Sequence, residues 1–265
     1  MPTCLAIHAA GRGERLLGAS GGSKALYPVK GRPLIDHVLA AAARGGIQHV
    51  VVAGRARDED LRKFLDAERR FAEVSWLGRA DGGSTADTMA AVSEFLGEQD
   101  HYVSTCDVIC PSDIFLRLGA RVAQSTDSRI LAVLACTRFV MERTPVWVQA
   151  DATGAVRAFG KTLKPAPLIF GHIRWTSARA CRLLRSLREA GAGSETVAMA
   201  ELVRLHQGRI VAWDGGTLFD VDTPDDVLTA ERFAARQSKG AAASDEGERA
   251  CDTDRSHRAS RLAEN

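Results

Sequence analysis

Two glycines and two cations near the start of the chain have the spacing of a phosphate cradle. In Ala9-Ala10-Gly11-Arg12-Gly13-Glu14-Arg15 the glycines let the backbone bend and approach a ligand closely, so that amides and one fixed arginine can share an anion's charge. Arg15 is the candidate arginine. Lys24, nine residues further on, brings a second cation within loop reach. Together Ala10, Gly11, Gly13, Arg15 and Lys24 suit the several negative charges of a nucleoside triphosphate.

Two familiar glycine motifs are excluded by the letters themselves. A dinucleotide-binding GxGxxG would need glycine where Leu16 stands and an acidic residue near Gly54-Arg55, which argues against a nicotinamide-dependent oxidoreductase. A GxxxxGK[ST] loop would need a glycine at Ser23 and a hydroxyl at Ala25, which argues against a Walker-type ATPase.

The second chemical signal is acidic and lies far from the first in sequence. Asp107 ends the apolar run Tyr102-Val103-Ser104-Thr105-Cys106, and Asp220 and Asp222 alternate along Phe219-Asp220-Val221-Asp222-Thr223-Pro224, so that both point to one side of an extended segment. Carboxylates of this kind suit Mg²⁺, a hard cation usually held by one or two carboxylates with phosphates and water. Capping of the following helix competes for Asp222 and Thr223. Cys106 and Cys110 flank Asp107, but their spacing and the scatter of the remaining cysteines favour core thiols over a zinc site.

These residues need a scaffold that brings strand ends together. Cys4–Ala10 reads as a buried strand, 33–44 as a helix starting at a proline and stopping at Gly45-Gly46, and 47–54 as a second strand. Helices follow at 58–70 and 86–96, with strands at 74–77 and 102–106. Strands are expected at 129–137 and 146–150, with a hairpin return at 156–159, helices at 177–190 and 196–206, a strand at 209–213 and a final helix at 224–235. This alternation predicts an α/β fold, a Rossmann-like, mainly parallel mixed sheet with helices on both faces and ligands at the strands' carboxyl ends. The domain is expected over 1–235. From 236 to 265 Gly, Ala, Ser and mixed charges replace apolar periodicity, and a disordered tail is expected there.

The string Ala-Ala-Gly-Arg-Gly-Glu-Arg-Leu, followed by Ser-Lys-Ala-Leu-Tyr-Pro-Val-Lys-Gly-Arg-Pro-Leu-Ile, resembles the signature of the nucleotidyltransferase superfamily of sugar-phosphate and MobA-like enzymes, over roughly residues 3–235. Cys-Asp-Val-Ile at 106–109 and Phe-Asp-Val-Asp-Thr-Pro-Asp-Asp at 219–226 are similar to that family's two acidic segments, which implies Mg²⁺ on Asp107 and Asp220, with Asp222 a further candidate. The resemblance also implies a nucleobase beside Gly83 and Ser84, and a small phosphorylated acceptor near Lys161 and Gly171. Gly83 and Ser84 also read as a turn and helix cap, Lys161 as a surface lysine and Gly171 as a bulge. His8, in the first strand, is expected to be buried with one hydrogen bond.

The implied reaction is transfer of a nucleoside monophosphate from an NTP, CTP slightly favoured, to a phosphorylated sugar or small alcohol, with release of pyrophosphate. Two alternatives stand beside it: a MobA-like cofactor nucleotidyltransferase, and a nucleotide-binding regulatory module without turnover. The chain has 265 residues, 45% hydrophobic and 26% charged, with a formal net charge of +2. That balance supplies no general attraction to nucleic acid or membrane, and no run approaches the roughly 20 apolar residues of a membrane span. A cytoplasmic protein is expected, with a homodimer possible.

Overall fold

The computed structural model describes residues 2–18, 22–80, 83–97, 99–125, 127–140, 144–163, 166–205, 209–233 and 235. The expected tail at 236–265 lies outside the described residues.

The chain opens with strand β1 (Cys4–Ala9), a short helix α1 (Glu14–Leu17), a 3-10 turn (Lys24–Leu26) and a hairpin of β2 (Pro28–Val29) and β3 (Arg32–Pro33). Helix α2 (Leu34–Arg44), β4 (His49–Arg55), α3 (Glu59–Asp66), β5 (Glu73–Arg79), α4 (Thr85–Leu96) and β6 (His101–Thr105) complete the first half. The second half runs through β7 (Val108–Ile109), α5 (Ile114–Ala123), β8 (Ile130–Thr137), β9 (Trp147–Ala150), β10 (Val156–Gly160) and β11 (Leu168–Thr176). It ends with α6 (Ala178–Glu189), α7 (Glu195–Arg204), β12 (Arg209–Asp214), β13 (Phe219–Asp220) and a helix α8 over 224–233.

The central sheet has the order β10-β9-β11-β6-β1-β4-β5, with β8 pairing β11 and β12 pairing β8. Strands β6, β1, β4 and β5 are parallel, whereas β11 is antiparallel to both β6 and β8. The expected parallel sheet with helices is therefore present, and a mixed half is built onto it. Because the chain leaves β1 toward β4 and β5 and returns to β6 on the other side, strand order reverses at β1. The crevice at such a reversal is where ligands of open α/β sheets bind.

Both faces of β1 are covered, which explains its nearly unbroken apolar run. Leu5, Ile7 and Ala9 share a core with Ile35, Val38 and Leu39 of α2 and with Ile114, Phe115 and Leu118 of α5, while Ala6 packs with Val92 of α4. A second core joins Leu134 and Cys136 of β8 to Leu184 of α6 and Ala198 and Leu202 of α7. Helix starts are marked by side-chain caps: Ser84 and Asp87 form a reciprocal capping box, and Ser177 and Ser194 accept bonds from Ala180 and Val197. Among the described residues no helix is long and apolar enough to cross a membrane.

Helix α3 stops earlier than its periodicity predicts. Glu68 accepts bonds from the backbone N–H groups of Arg69 and Arg70 and pairs with the Arg70 guanidinium, which also reaches Asp36 on α2. That local side-chain competition ends the helix. Two of the longer elements escaped the periodicity, α5 and the central strand β11, as did the short pieces α1, β2, β3 and β7.

Candidate active site

The loop after β1 returns to the sheet edge with Gly13 in the left-handed region at φ +67°, where a Cβ would stand 2.7 Å from Cβ of Lys24. Glycine is thus required both by conformation and by the approach of the lysine stem. Gly11 by contrast has open space before it, as expected of a position a ligand approaches.

Lys24 is buried, and its ammonium bonds Asp107 and also Asp222 Oδ1, the latter at 2.6 Å. Arg15 reaches the other Asp222 oxygen at 2.6 Å. Asp107 follows β6, and Asp220 comes from β13, which pairs antiparallel with β7; the Val221 N–H donates to the Asp107 carbonyl at 3.0 Å. Two distant acidic segments therefore meet through backbone pairing.

The electrostatics of these carboxylates differ. Burial opposes ionisation of Asp107, but the neighbouring Lys24 ammonium outweighs it and holds the carboxyl below its ordinary range. Among the described residues no lysine or arginine pairs with Asp220: burial, and then the charge of Asp107, push it well above the ordinary carboxylate range. Oδ1 of Asp107 and Oδ1 of Asp220 are both buried without a hydrogen-bond partner. Such orphaned oxygens carry a desolvation cost that a cation would relieve.

A cleft of about 1030 Å³ opens over these groups. It reaches from Gly11, Gly83 and Ser84 on one side to Phe159, Lys161 and Phe170 on the other. A side chamber of about 140 Å³ adjoins it at Gly11 and Gly83, walled by Arg12, Arg55 and Arg79. The cleft floor holds a charged network that the sequence did not signal. Glu195, the first residue of α7, pairs with the buried Arg174 of β11 and lies 3.4 Å from His8 Nδ1. Burial alone would raise Glu195, but Arg174 and then His8 hold it well below its ordinary range.

A family model described as the MobA-like NTP transferase domain matches residues 5–204. The chain belongs to this family. It is 30% identical over 160 residues to the CMP-5′-(3-aminopropyl)phosphonate synthase of Streptomyces rubellomurinus, covering 59% of this chain and 24% of that protein. It is 43% identical over 79 residues to the bifunctional protein GlmU of Rhizobium johnstonii, covering 25% of this chain and 17% of that protein. The chain thus spans a quarter or less of these curated relatives.

Solved structures share the fold. The inositol-1-phosphate CTP transferase from T. maritima has a TM-score of 0.73 at 15% identity, covering 85% of this chain and 91% of that one. UDP-glucose pyrophosphorylase complexed with UDP-glucose has a TM-score of 0.76 at 13% identity, covering 89% and 100%.

The residues expected from the sequence converge, with qualifications, those of the MobA-like domain joined by Asp220 and Asp222 from beyond residue 204. Ala10, Gly11, Gly13, Arg15, Lys24, Gly83, Ser84, Asp107, Lys161, Asp220 and Asp222 all line the cleft. Ser84 caps α4 as well, so its two readings coexist. Both oxygens of Asp222 are engaged by Lys24 and Arg15. Gly171 is not on the cleft wall; its neighbours Phe170 and His172 are. His8 is buried as expected. The five described cysteines are free and buried, and burial pushes the Cys110 thiol up to about 12.

Proposed function

We propose that the protein transfers a nucleoside monophosphate from an NTP, with CTP favoured, to the phosphate or phosphonate oxygen of a small acceptor, releasing pyrophosphate in a Mg²⁺-dependent reaction. The carrying observation is the pair of buried, unpartnered carboxylate oxygens of Asp107 and Asp220 beside the cations Lys24 and Arg15, at the crevice where strand order reverses.

The donor set fits Mg²⁺. Among the described residues no group of three His, Cys, Asp or Glu side chains is arranged to hold a metal, and two carboxylates completed by substrate phosphates and water is the usual Mg²⁺ arrangement. Bound there, Mg²⁺ supplies charge neutralisation and orientation at the α-phosphate. The acceptor oxygen forms the new bond to the α-phosphorus, and the bond to the pyrophosphate oxygen breaks, so that pyrophosphate leaves with the electron pair. No protein nucleophile is needed. Lys24, pinned by two carboxylates, and Arg15 present fixed positive charge to the triphosphate and leaving group. Lys161 on the opposite wall faces the acceptor's anionic end.

Three features support cytidine as the base. The relatives named above include a CMP-phosphonate synthase and a CTP transferase. The side chamber has room for one pyrimidine ring, and its arginines offer donors only. Cytosine presents two adjacent acceptors, N3 and O2, where uracil carries an N–H at N3.

The test is pyrophosphate release with Mg²⁺, each common NTP and a panel of alcohol phosphates, sugar 1-phosphates and short alkylphosphonates. Acceptor-dependent release that falls about 10²–10³-fold in Asp107→Asn is expected. Unchanged release in that variant would remove the mechanism.

A further inference from the structure

One cleft side chain has a strained backbone. His172 sits at φ +56°, one of two non-glycine residues with positive φ among the described residues. That region is unfavourable for side chains with a Cβ, although histidine enters it more often than most.

The cause lies in the pairing of β11 with β8. Phe170 stands opposite Cys136 and Ile173 opposite Ala135, so Gly171 and His172 are inserted into the ladder. Such bulges re-aim side chains. Here a Cβ on Gly171 would stand 2.7 Å from Cβ of Leu218, the residue just before β13, and 3.2 Å from the Ala135 carbonyl oxygen. The bulge and the segment carrying Asp220 are therefore pressed together. His172 turns into the cleft beside Phe170, ring centroids 5.1 Å apart, and places Nε2 3.3 Å from Asp220 Oδ2. Oδ1 of Asp220 is buried without a hydrogen-bond partner, and the approach of Nε2 to Oδ2 is an ion-pair contact.

We propose that His172 is a positioning residue for the divalent cation: its imidazole lies against Oδ2 of Asp220 at ion-pair distance, so that Oδ1 is the oxygen presented, alongside Oδ1 of Asp107. This rests on the assignment of Asp107 and Asp220 as cation ligands. A carboxylate turns easily about its last torsion, so an aspartate held at one oxygen offers a defined, one-toothed ligand where a loose one would not. Groups that orient metal ligands in this way typically change metal affinity 10–100-fold when removed. The strained φ and the glycine-dependent close approach are then the structural means of bringing the imidazole to that oxygen.

The experiment is Mn²⁺ binding to the full chain, read by the electron paramagnetic resonance of free Mn²⁺, together with the Mg²⁺ concentration for half-maximal activity. His172→Asn tolerates the left-handed backbone but is too short to reach Asp220, whereas His172→Gln can place a donor near the imidazole Nε2 position. Expected are a 10–100-fold loss of Mn²⁺ affinity in His172→Asn, recovery to within about threefold in His172→Gln, and a kcat for His172→Asn that is restored by saturating Mg²⁺. Wild-type Mn²⁺ affinity in His172→Asn would overturn the positioning role while leaving the ligand assignment standing. Equal Mn²⁺ affinity in the wild type and the Asp107→Asn, Asp220→Asn double variant would overturn the ligand assignment itself, and the positioning role with it.

Discussion

On the proposed reading Asp220 trades stability for function. Its carboxyl is buried, faces the charge of Asp107 and keeps one oxygen without a partner. An amide at this position removes the repelling charge while keeping shape. Asp220→Asn should therefore raise the melting temperature of the metal-free protein, by about 2–4 °C for each kcal/mol gained, while cutting turnover about 10²–10³-fold. Scanning calorimetry in chelator, paired with pyrophosphate release, checks both halves; a lower melting temperature would show that Asp220 already has adequate compensation in the metal-free fold. The contrast with Asp107 is instructive, since Lys24 compensates that carboxylate directly.

At the scale of elements, β11 joins the parallel half of the sheet to the mixed half, delivers His172 to the cleft and places the buried Arg174 against the cleft residue Glu195. Gly171→Ala would drive a methyl group into Leu218, at a cost of roughly 1–3 kcal/mol for an overpacked core position. Because the relief must come from β13, the variant should lose both chemical stability in urea and metal-dependent activity. A variant with normal stability and activity would mean that β13 yields freely. The start of β6 supplies a pH prediction. Burial lowers His101 from its ordinary 6.5 to about 4, with its Nδ1–H donating to the Gln99 carbonyl at 3.1 Å. Below pH 6.5 the unfolded chain takes up a proton that the folded chain refuses, so stability falls as pH drops toward 4 and this contribution levels off below. The full effect is about 3 kcal/mol. Urea melts at pH 7 and pH 4.5 should show a smaller difference in His101→Asn than in the wild type; equal differences would refute the assignment.

The same elements show what the sequence made legible. Strand β1, α2 and α4 were readable because apolar spacing, a leading proline and closing glycines agreed. Gly13 and Lys24 were readable as one unit because loop and cation are near in sequence. Strand β11 was not, because its two-residue bulge breaks the alternation on which a strand reading depends and because Arg174 interrupts it with a buried charge. Glu195 was hidden for a different reason. Its partners His8 and Arg174 lie on separate strands, and only the sheet order brings them together. A polar residue inside an apolar run, as His8 is, was the one available signal.

Across the whole molecule, the cleft takes its walls from both halves of the chain. The cation pair Arg15 and Lys24 belongs to the first half, as does Asp107, whereas Asp220, Asp222 and Lys161 belong to the second. Asp87 of α4 bonds Arg188 of α6 at 2.6 Å, and Thr85 accepts from the Glu195 N–H at 3.1 Å, so the turn at Gly83 and Ser84 is tied to α6 and α7. A nucleotide bound in this cleft would touch groups from both halves of the chain, and could not bind the unfolded chain in the same way. Its binding energy therefore adds to folding, about 2.7 kcal/mol at a ligand concentration one hundred times Kd. If the carboxylate pair holds Mg²⁺ as proposed, metal and nucleotide should also reinforce each other, because phosphate oxygens would complete the cation's coordination. Melting curves should thus shift more with Mg²⁺ and CTP together than the sum of the two separate shifts, and more with CTP than with UTP. Arg79→Gln should narrow the CTP–UTP difference without removing the Mg²⁺ synergy, since on the proposed reading the side chamber takes the base and the carboxylate pair the metal and phosphates. Additive shifts would separate the metal from the nucleotide site, and equal shifts with every NTP would deny the arginine chamber a part in choosing the base.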